Sequence, residues 1–135
     1  MKNWFSLEGK IAFISGGAGY LGSKMVECLL DQGATVVVGD VVDKKPEEIV
    51  SETYGRLHYL KADIGSTESM RRAFQRTVEI GGKIDILVNC AFIPVKGASP
   101  KMDGEGQSVE DFDEGLNGCC TSVYRCIKEV LPHME

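Results

Sequence analysis

A doubly wound α/β parallel sheet is the fold class this sequence predicts, and three observations predict it. Apolar, strand-prone runs alternate with helix-periodic stretches from residue 10 to residue 134. The first strand runs straight into a turn holding Gly16, Gly17, Gly19 and Gly22, and that turn opens the first helix. The second strand ends in an acid, Asp40, 18 residues past Gly22. Near-continuous apolar strands between helices imply parallel strands covered on both faces. Right-handed crossovers then give the spatial order 3-2-1-4.

Each element has its own signal. Ile11, Phe13 and Ile14 make a strand over 10–15. Helical spacing over 20–32 places Leu21, Met25, Cys28 and Leu29 on one face, with Cys28 as a small core residue. Gly33 stops that helix. Ala34 to Asp40 is the second strand. Pro46 sits in the first turn of a helix over 46–54, which Gly55 ends. The third strand covers 56–61 and is followed by Ala62-Asp63-Ile64. Ser66 or Thr67 caps a third helix to about residue 80, with Met70, Ala73, Phe74 and Val78 on its apolar side. Gly81-Gly82 breaks it before a fourth strand over 84–89. A patternless loop from Cys90 to about Gln107 is long for a compact domain, which marks it as functional or mobile. Ser108 caps a last helix to about Met134, with Phe112, Leu116, Cys119, Val123, Ile127, Val130 and Leu131 as its stripe.

Composition narrows the class. The 135 residues suggest a single domain, and 43% hydrophobic content fits a packed globule. The net charge of −5, with no long basic run, recommends neither nucleic acid nor a membrane as partner. No apolar run reaches the length of a membrane span, and Met1 to Phe5 is no signal peptide, so a cytoplasmic location is expected. Five cysteines without a CxxC pair argue against a disulfide framework or metal site. His58 and His133 are read as non-functional.

A ligand belongs at the switch point between strands one and four, whose tips carry Ser15-Gly16-Gly17 and Asn89-Cys90-Ala91. The turn glycines admit a close backbone approach, and the helix start offers unpaired N–H groups and a positive dipole end. Both suit a pyrophosphate, and Asp40 suits the ribose hydroxyls of a dinucleotide. Plainer readings stay open: Asp40 as the start of a turn through Asp43, Asp63 as a strand-end residue, and Asn117 as a helix asparagine bonding locally. A carboxylate at the ribose repels a 2′-phosphate, so NAD is preferred to NADP, with Lys44 and Lys45 close enough to soften the preference.

These residues resemble the N-terminal part of a short-chain dehydrogenase/reductase. Ser15 to Gly22 resembles the family's TGxxxGxG turn, Asp63-Ile64 its adenine-side pair, and Asn89-Cys90-Ala91-Phe92 its NNAG element. Asn117 falls where the family keeps a supporting helix asparagine. The resemblance implies a single Rossmann-type domain over 1–135. The cofactor residues it implies from the turn are Ser15, Gly16, Ala18, Gly19, Tyr20, Leu21 and Gly22. From the later strand ends it implies Asp40, Val41, Asp63, Ile64, Asn89, Cys90 and Ala91. Tyr20 departs from the pattern, and Gly16, Gly19 and Gly22 also fit the TGxxGxxG spacing of the extended, epimerase-like branch.

In the family a serine and a Tyr-x-x-x-Lys do the chemistry on a later strand and helix. Here Tyr124 and Lys128 match the letters, but they lie one turn apart on the helix of Asn117 and read as a surface pair. The implied activity is hydride transfer between nicotinamide and a small-molecule secondary alcohol or ketone, with this piece holding the cofactor and lacking the catalytic part. A non-catalytic NAD(H)-binding module and a nucleotide-sugar epimerase or dehydratase are the alternatives. The partner is expected to be a second copy, as a homo-oligomer, or the remaining C-terminal part of the same protein. Without it, strand four is an edge, and Cys119, Val123 and Ile127 are uncovered.

Overall fold

The computed structural model describes residues 4–42, 55–95 and 108–134. The expected helix over 46–54, with Lys44 and Lys45 before it, and the loop between 96 and 107 lie outside the described residues. Four parallel strands form one sheet: β1 (Ile11–Ser15), β2 (Thr35–Asp40), β3 (Leu57–Lys61) and β4 (Ile86–Asn89). Their order is β3-β2-β1-β4, as the crossover rule requires. Phe13 pairs with Val37 on one side and Leu87 on the other, so β1 is the spine of the sheet, and all five of its residues are buried.

Alternation along the strands divides the core in two. Ala12, Ile14, Val36 and Val38 face helix α1 (Tyr20–Asp31) through Val26 and Leu30. Phe13 and Val37 face the opposite layer, helix α2 (Thr67–Gly81) and helix α4 (Ser122–Val130), through Met70, Phe74, Cys126 and Val130. Phe13 and Phe74 meet edge to face, with ring centroids 4.9 Å apart.

Local chemistry sets the helix ends. Gly33 takes a φ of +97° at the end of α1, where its N–H donates to the Leu30 carbonyl at 3.0 Å. Ser66 rather than Thr67 caps α2, its side chain accepting from the Ser69 N–H at 3.2 Å. Ser108 and Asp111 form a capping box at the start of helix α3 (Val109–Leu116).

Three expectations need correction. Residues 108–134 are not one regular helix: a π-helical turn over Asn117–Thr121 separates α3 from α4, and Leu131–His133 closes as a 3-10 turn. The buried row there is Gly118, Ser122, Cys126 and Val130, while Phe112, Leu116, Cys119, Ile127 and Leu131 are exposed. In α1 the buried row is Gly22, Val26 and Leu30; Cys28 is exposed rather than core, as are Leu21 and Met25. The smallest residue of each helix sits at its closest approach to a backbone, and the buried row follows from it at four-residue steps.

At the lower edge of the sheet, Asp85 ties β4 to β1. Its Oδ2 accepts the Ile11 N–H at 2.9 Å, and its Oδ1 accepts from Lys83 Nζ at 2.7 Å and Lys10 Nζ at 3.1 Å. The Asp85 N–H donates to the Ile11 carbonyl at 2.8 Å, which extends the pairing below Ile86. Burial opposes ionisation of this carboxyl, but the bonds from Lys83, Ile11 and Lys10 outweigh it and hold Asp85 at about 2. A carboxylate depressed in the fold lends stability above its ordinary range and loses it as pH falls toward 2. Asp85→Asn is therefore expected to cost about 1–2 kcal/mol near neutral pH, allowing for the exposed lysines. In thermal unfolding, its deficit against the parent chain should shrink as pH drops below about 4.

Candidate functional site

The upper edge of the sheet carries an open hollow of about 400 Å³. Four segments form it. The glycine turn contributes Gly16, Ala18 and Gly19, and the tip of β2 contributes Asp40 and Val41. Asp63 and Ile64 come from the end of β3, and Cys90 and Ala91 from the end of β4. These nine are all sequence-predicted site residues, brought together from four places in the chain.

Close backbone packing shapes the turn. Gly16 has a φ of +73°, and a Cβ on it would lie 2.6 Å from the Ala91 Cα. Its N–H donates to the Gly39 carbonyl at 2.8 Å, which holds the turn against β2. A Cβ on Gly22 would come within 2.1 Å of the Gly16 carbonyl oxygen. Helix α1 therefore starts directly beneath the turn. It has no side-chain cap and no acid in its own first turn, so no group within the helix offsets its positive end at the hollow.

Asp40 is held in place rather than merely near. Its Oδ2 accepts the Ala18 N–H at 3.1 Å and its Oδ1 the Val42 N–H at 3.3 Å. Each oxygen keeps a further lone pair for a ligand hydroxyl. The Tyr59 hydroxyl oxygen is buried without a hydrogen-bond partner among the described residues. Burial, and then the charge of Asp40, push Tyr59 up to about 12, so the phenol stays neutral beside the acid. Across the hollow, the Asp63 Oδ1 accepts the Gly65 N–H at 2.8 Å, an Asx-type turn that fixes the connection after β3.

Other expected residues sit elsewhere. Ser15 is buried under the hollow: its carbonyl accepts the Cys90 N–H at 3.1 Å and its hydroxyl the Ala91 N–H at 3.4 Å, so it joins β1 to the 90–91 segment. Gly22 is buried in α1 beneath the turn, and the side chains of Tyr20 and Leu21 are exposed. Asn89 lies beside Ser15 in register, with its Oδ1 buried and unpartnered among the described residues. Asn117 begins the π-helical turn and is exposed, and it does not line the hollow. Tyr124 and Lys128 are exposed on α4 and do not line it either. The sequence reading missed Gly39, Val42, Ala62 and Ile93 as lining residues. Gly39, Val42 and Ala62 are each next to a predicted one, and the small Ala62 before Asp63 was the available signal.

Residues 10–135 match the family model described as short chain dehydrogenase. A 3-oxoacyl-[acyl-carrier-protein] reductase of rhamnolipid biosynthesis from Pseudomonas aeruginosa is 31% identical over 98% of this chain and 50% of its own length. Zerumbone synthase from Zingiber zerumbet is 29% identical over 96% of this chain and 49% of its own length. Among solved structures, a 3-ketoacyl-(acyl-carrier-protein) reductase from Brucella melitensis complexed with NADH is similar, with a TM-score of 0.76 and 31% identity. That match covers 95% of this chain and 51% of the other. The chain thus spans about half the length of the curated relatives it matches.

The turn geometry ranks its glycines. A Cβ on Gly22 meets backbone at 2.1 Å, whereas one on Gly19 meets its nearest neighbour, the Gly16 carbonyl oxygen, at 3.3 Å. In urea denaturation, Gly22→Ala should cost more than about 2 kcal/mol and Gly19→Ala less than about 1 kcal/mol. Equal costs would show that the turn does not rest on α1 as described.

Proposed function

Because the chain belongs to the short-chain dehydrogenase family, we propose that its hollow receives the adenosine and pyrophosphate of NAD(H). On this reading the 135 residues form the cofactor-holding part of an oxidoreductase acting on a secondary alcohol or ketone. The observation that carries the reading is Asp40, locked by the Ala18 N–H at the rim of a glycine turn over the uncapped start of α1. The packing of Gly16 on Ala91 and of Gly22 on the Gly16 carbonyl, which a Cβ at either position would break, keeps the turn tight over the helix start and supports a pyrophosphate pressed against backbone. When bound, the nicotinamide supplies or accepts the hydride; the protein binds, orients and sets the electrostatics.

Within that scheme, the first-turn amides of α1 at Tyr20, Leu21 and Gly22 face the pyrophosphate. Asp40 takes the ribose hydroxyls, with Val41 beside it. Asp63 and Ile64 border the adenine, and Asn89, Cys90 and Ala91 border the nicotinamide side. The exposure of Tyr124 and Lys128 supports leaving proton transfer to residues other than these. Asn117, if it assists, acts only once such residues are in place. The exposure of Phe112 and Leu116 on α3, of Ile127 on α4 and of Leu131 just after it supports association through these helices, with a second copy or with further chain. A non-catalytic NAD(H)-binding role is the second reading, favoured by the same exposure of Tyr124 and Lys128.

Calorimetric titration of the chain tests the cofactor assignment. NADH is expected to bind at least about tenfold more tightly than NADPH, because Asp40 repels a 2′-phosphate. Asp40→Ala should weaken NADH binding and narrow that gap. No binding of either nucleotide at millimolar concentration would remove the assignment.

A further inference from the structure

Inside the stretch that imitates a Tyr-x-x-x-Lys motif, the residue with the most specific contacts is neither the tyrosine nor the lysine. It is Arg125, half-buried on the inner side of α4. Its Nη1 donates to the Ile64 carbonyl at 2.6 Å, and its Nε donates to the Thr67 hydroxyl at 3.1 Å. Ile64 lines the hollow, and Thr67 is the first residue of α2. One guanidinium therefore bridges α4 to the middle of the short connection that walls the Asp63 side and to the helix start that follows it.

The planar fork of arginine suits two acceptors in two elements, and a charge-assisted bond to a carbonyl is among the stronger kinds. The connection is also bonded internally, with the Ser66 N–H on the Asp63 carbonyl at 3.0 Å and the Asp63 N–H on Ser69 Oγ at 3.0 Å. The Ala62 N–H also donates to the Asp40 carbonyl at 2.9 Å, which ties the β3 end of the connection to the tip of β2. Arg125 holds the stretch beyond that anchor, from Ile64 to Thr67, from a helix that also touches the opposite wall through its π-helical entry. A Cβ on Gly118 would lie 2.6 Å from the Ile93 carbonyl, and the Ser122 hydroxyl donates to the Gly118 carbonyl at 2.7 Å. The same helical segment thus abuts the Ile64 wall through a side chain and the Ile93 wall through its backbone.

We propose that Arg125 is a positioning residue for the adenosine end of the hollow, setting the Asp63–Ile64 wall at the spacing a dinucleotide needs. This rests on the cofactor reading above and adds to it a residue that never touches the ligand. Arg125→Met keeps the apolar stem and removes both donors, leaving the Ile64 carbonyl and the Thr67 hydroxyl unpaired.

The test measures ADP-ribose affinity by calorimetry together with amide hydrogen exchange. Arg125→Met is expected to weaken ADP-ribose about tenfold and to speed exchange at Gly65 and Ser66, with Arg125→Lys intermediate. Two controls separate positioning from stability. Arg71→Met removes the neighbouring α2–α4 ion pair, in which Arg71 Nε lies 2.6 Å from Glu129 Oε2. Val130→Ala thins the core under the same helix. Both should lower the unfolding midpoint yet keep ADP-ribose affinity within about twofold. Unchanged affinity in Arg125→Met, or an equal loss in the controls, overturns this inference alone. Failure of the parent chain to bind ADP-ribose overturns the cofactor reading and this inference with it.

Discussion

The carbonyl oxygen of Gly16 lies so close to the backbone of α1 that a methyl group on Gly22 would come within 2.1 Å of it, and the upper edge of the sheet depends on that contact. Because the turn can rest directly on the helix, α1 begins at the strand tip instead of several residues later. Its free amides and positive end then point at the hollow. The same compression brings Gly16 against Ala91 and lets the Ala18 N–H reach Asp40. Three strand ends are thereby drawn to one point without a single large side chain between them, and the vacant space is left above them.

The opposite edge of the sheet is built on the contrary principle. There a fixed charge does the joining: Asp85 collects one backbone amide and two lysines, and binds the start of β1 to the segment entering β4. An ion-paired edge satisfies its own polar groups, while among the described residues the upper edge keeps the Asn89 Oδ1 unpartnered and leaves lone pairs open on Asp40. That asymmetry of satisfied and unsatisfied groups, more than the hollow's shape, separates the structural end from the end we propose to bind.

The strand order and the residues of the hollow were legible because they follow from local rules. Apolar runs give strands, handedness gives their order, and the order decides which loops converge. The helix faces were less legible. Counting hydrophobicity along α1 favours Leu21, Met25 and Cys28, but proximity is set by Gly22, the one position where the helix can approach the turn. Counting along residues 108–134 fails for a second reason. The π-helical turn at Asn117–Thr121 adds a residue to the helical repeat and rotates α4 relative to α3, so no stripe of constant period stays on one side. Contacts such as Arg125 with Ile64, 61 positions apart, leave no periodic trace at all.

The arrangement of β1 between β2 and β4 bears on how the polypeptide comes together as it is made. Its first partner, Thr35–Asp40, is synthesised soon after it, but its second, Ile86–Asn89, leaves the ribosome dozens of residues later. In the meantime β1, Ile11 to Ser15, has one flank of amides and carbonyls without a mate, and Phe13 awaits Phe74. Non-local closure of this kind is slow and leaves sticky surface on nascent chains. Of the four described strands, the one made first is thus the last to gain both of its neighbours, and it is the one among them that most needs shelter during translation.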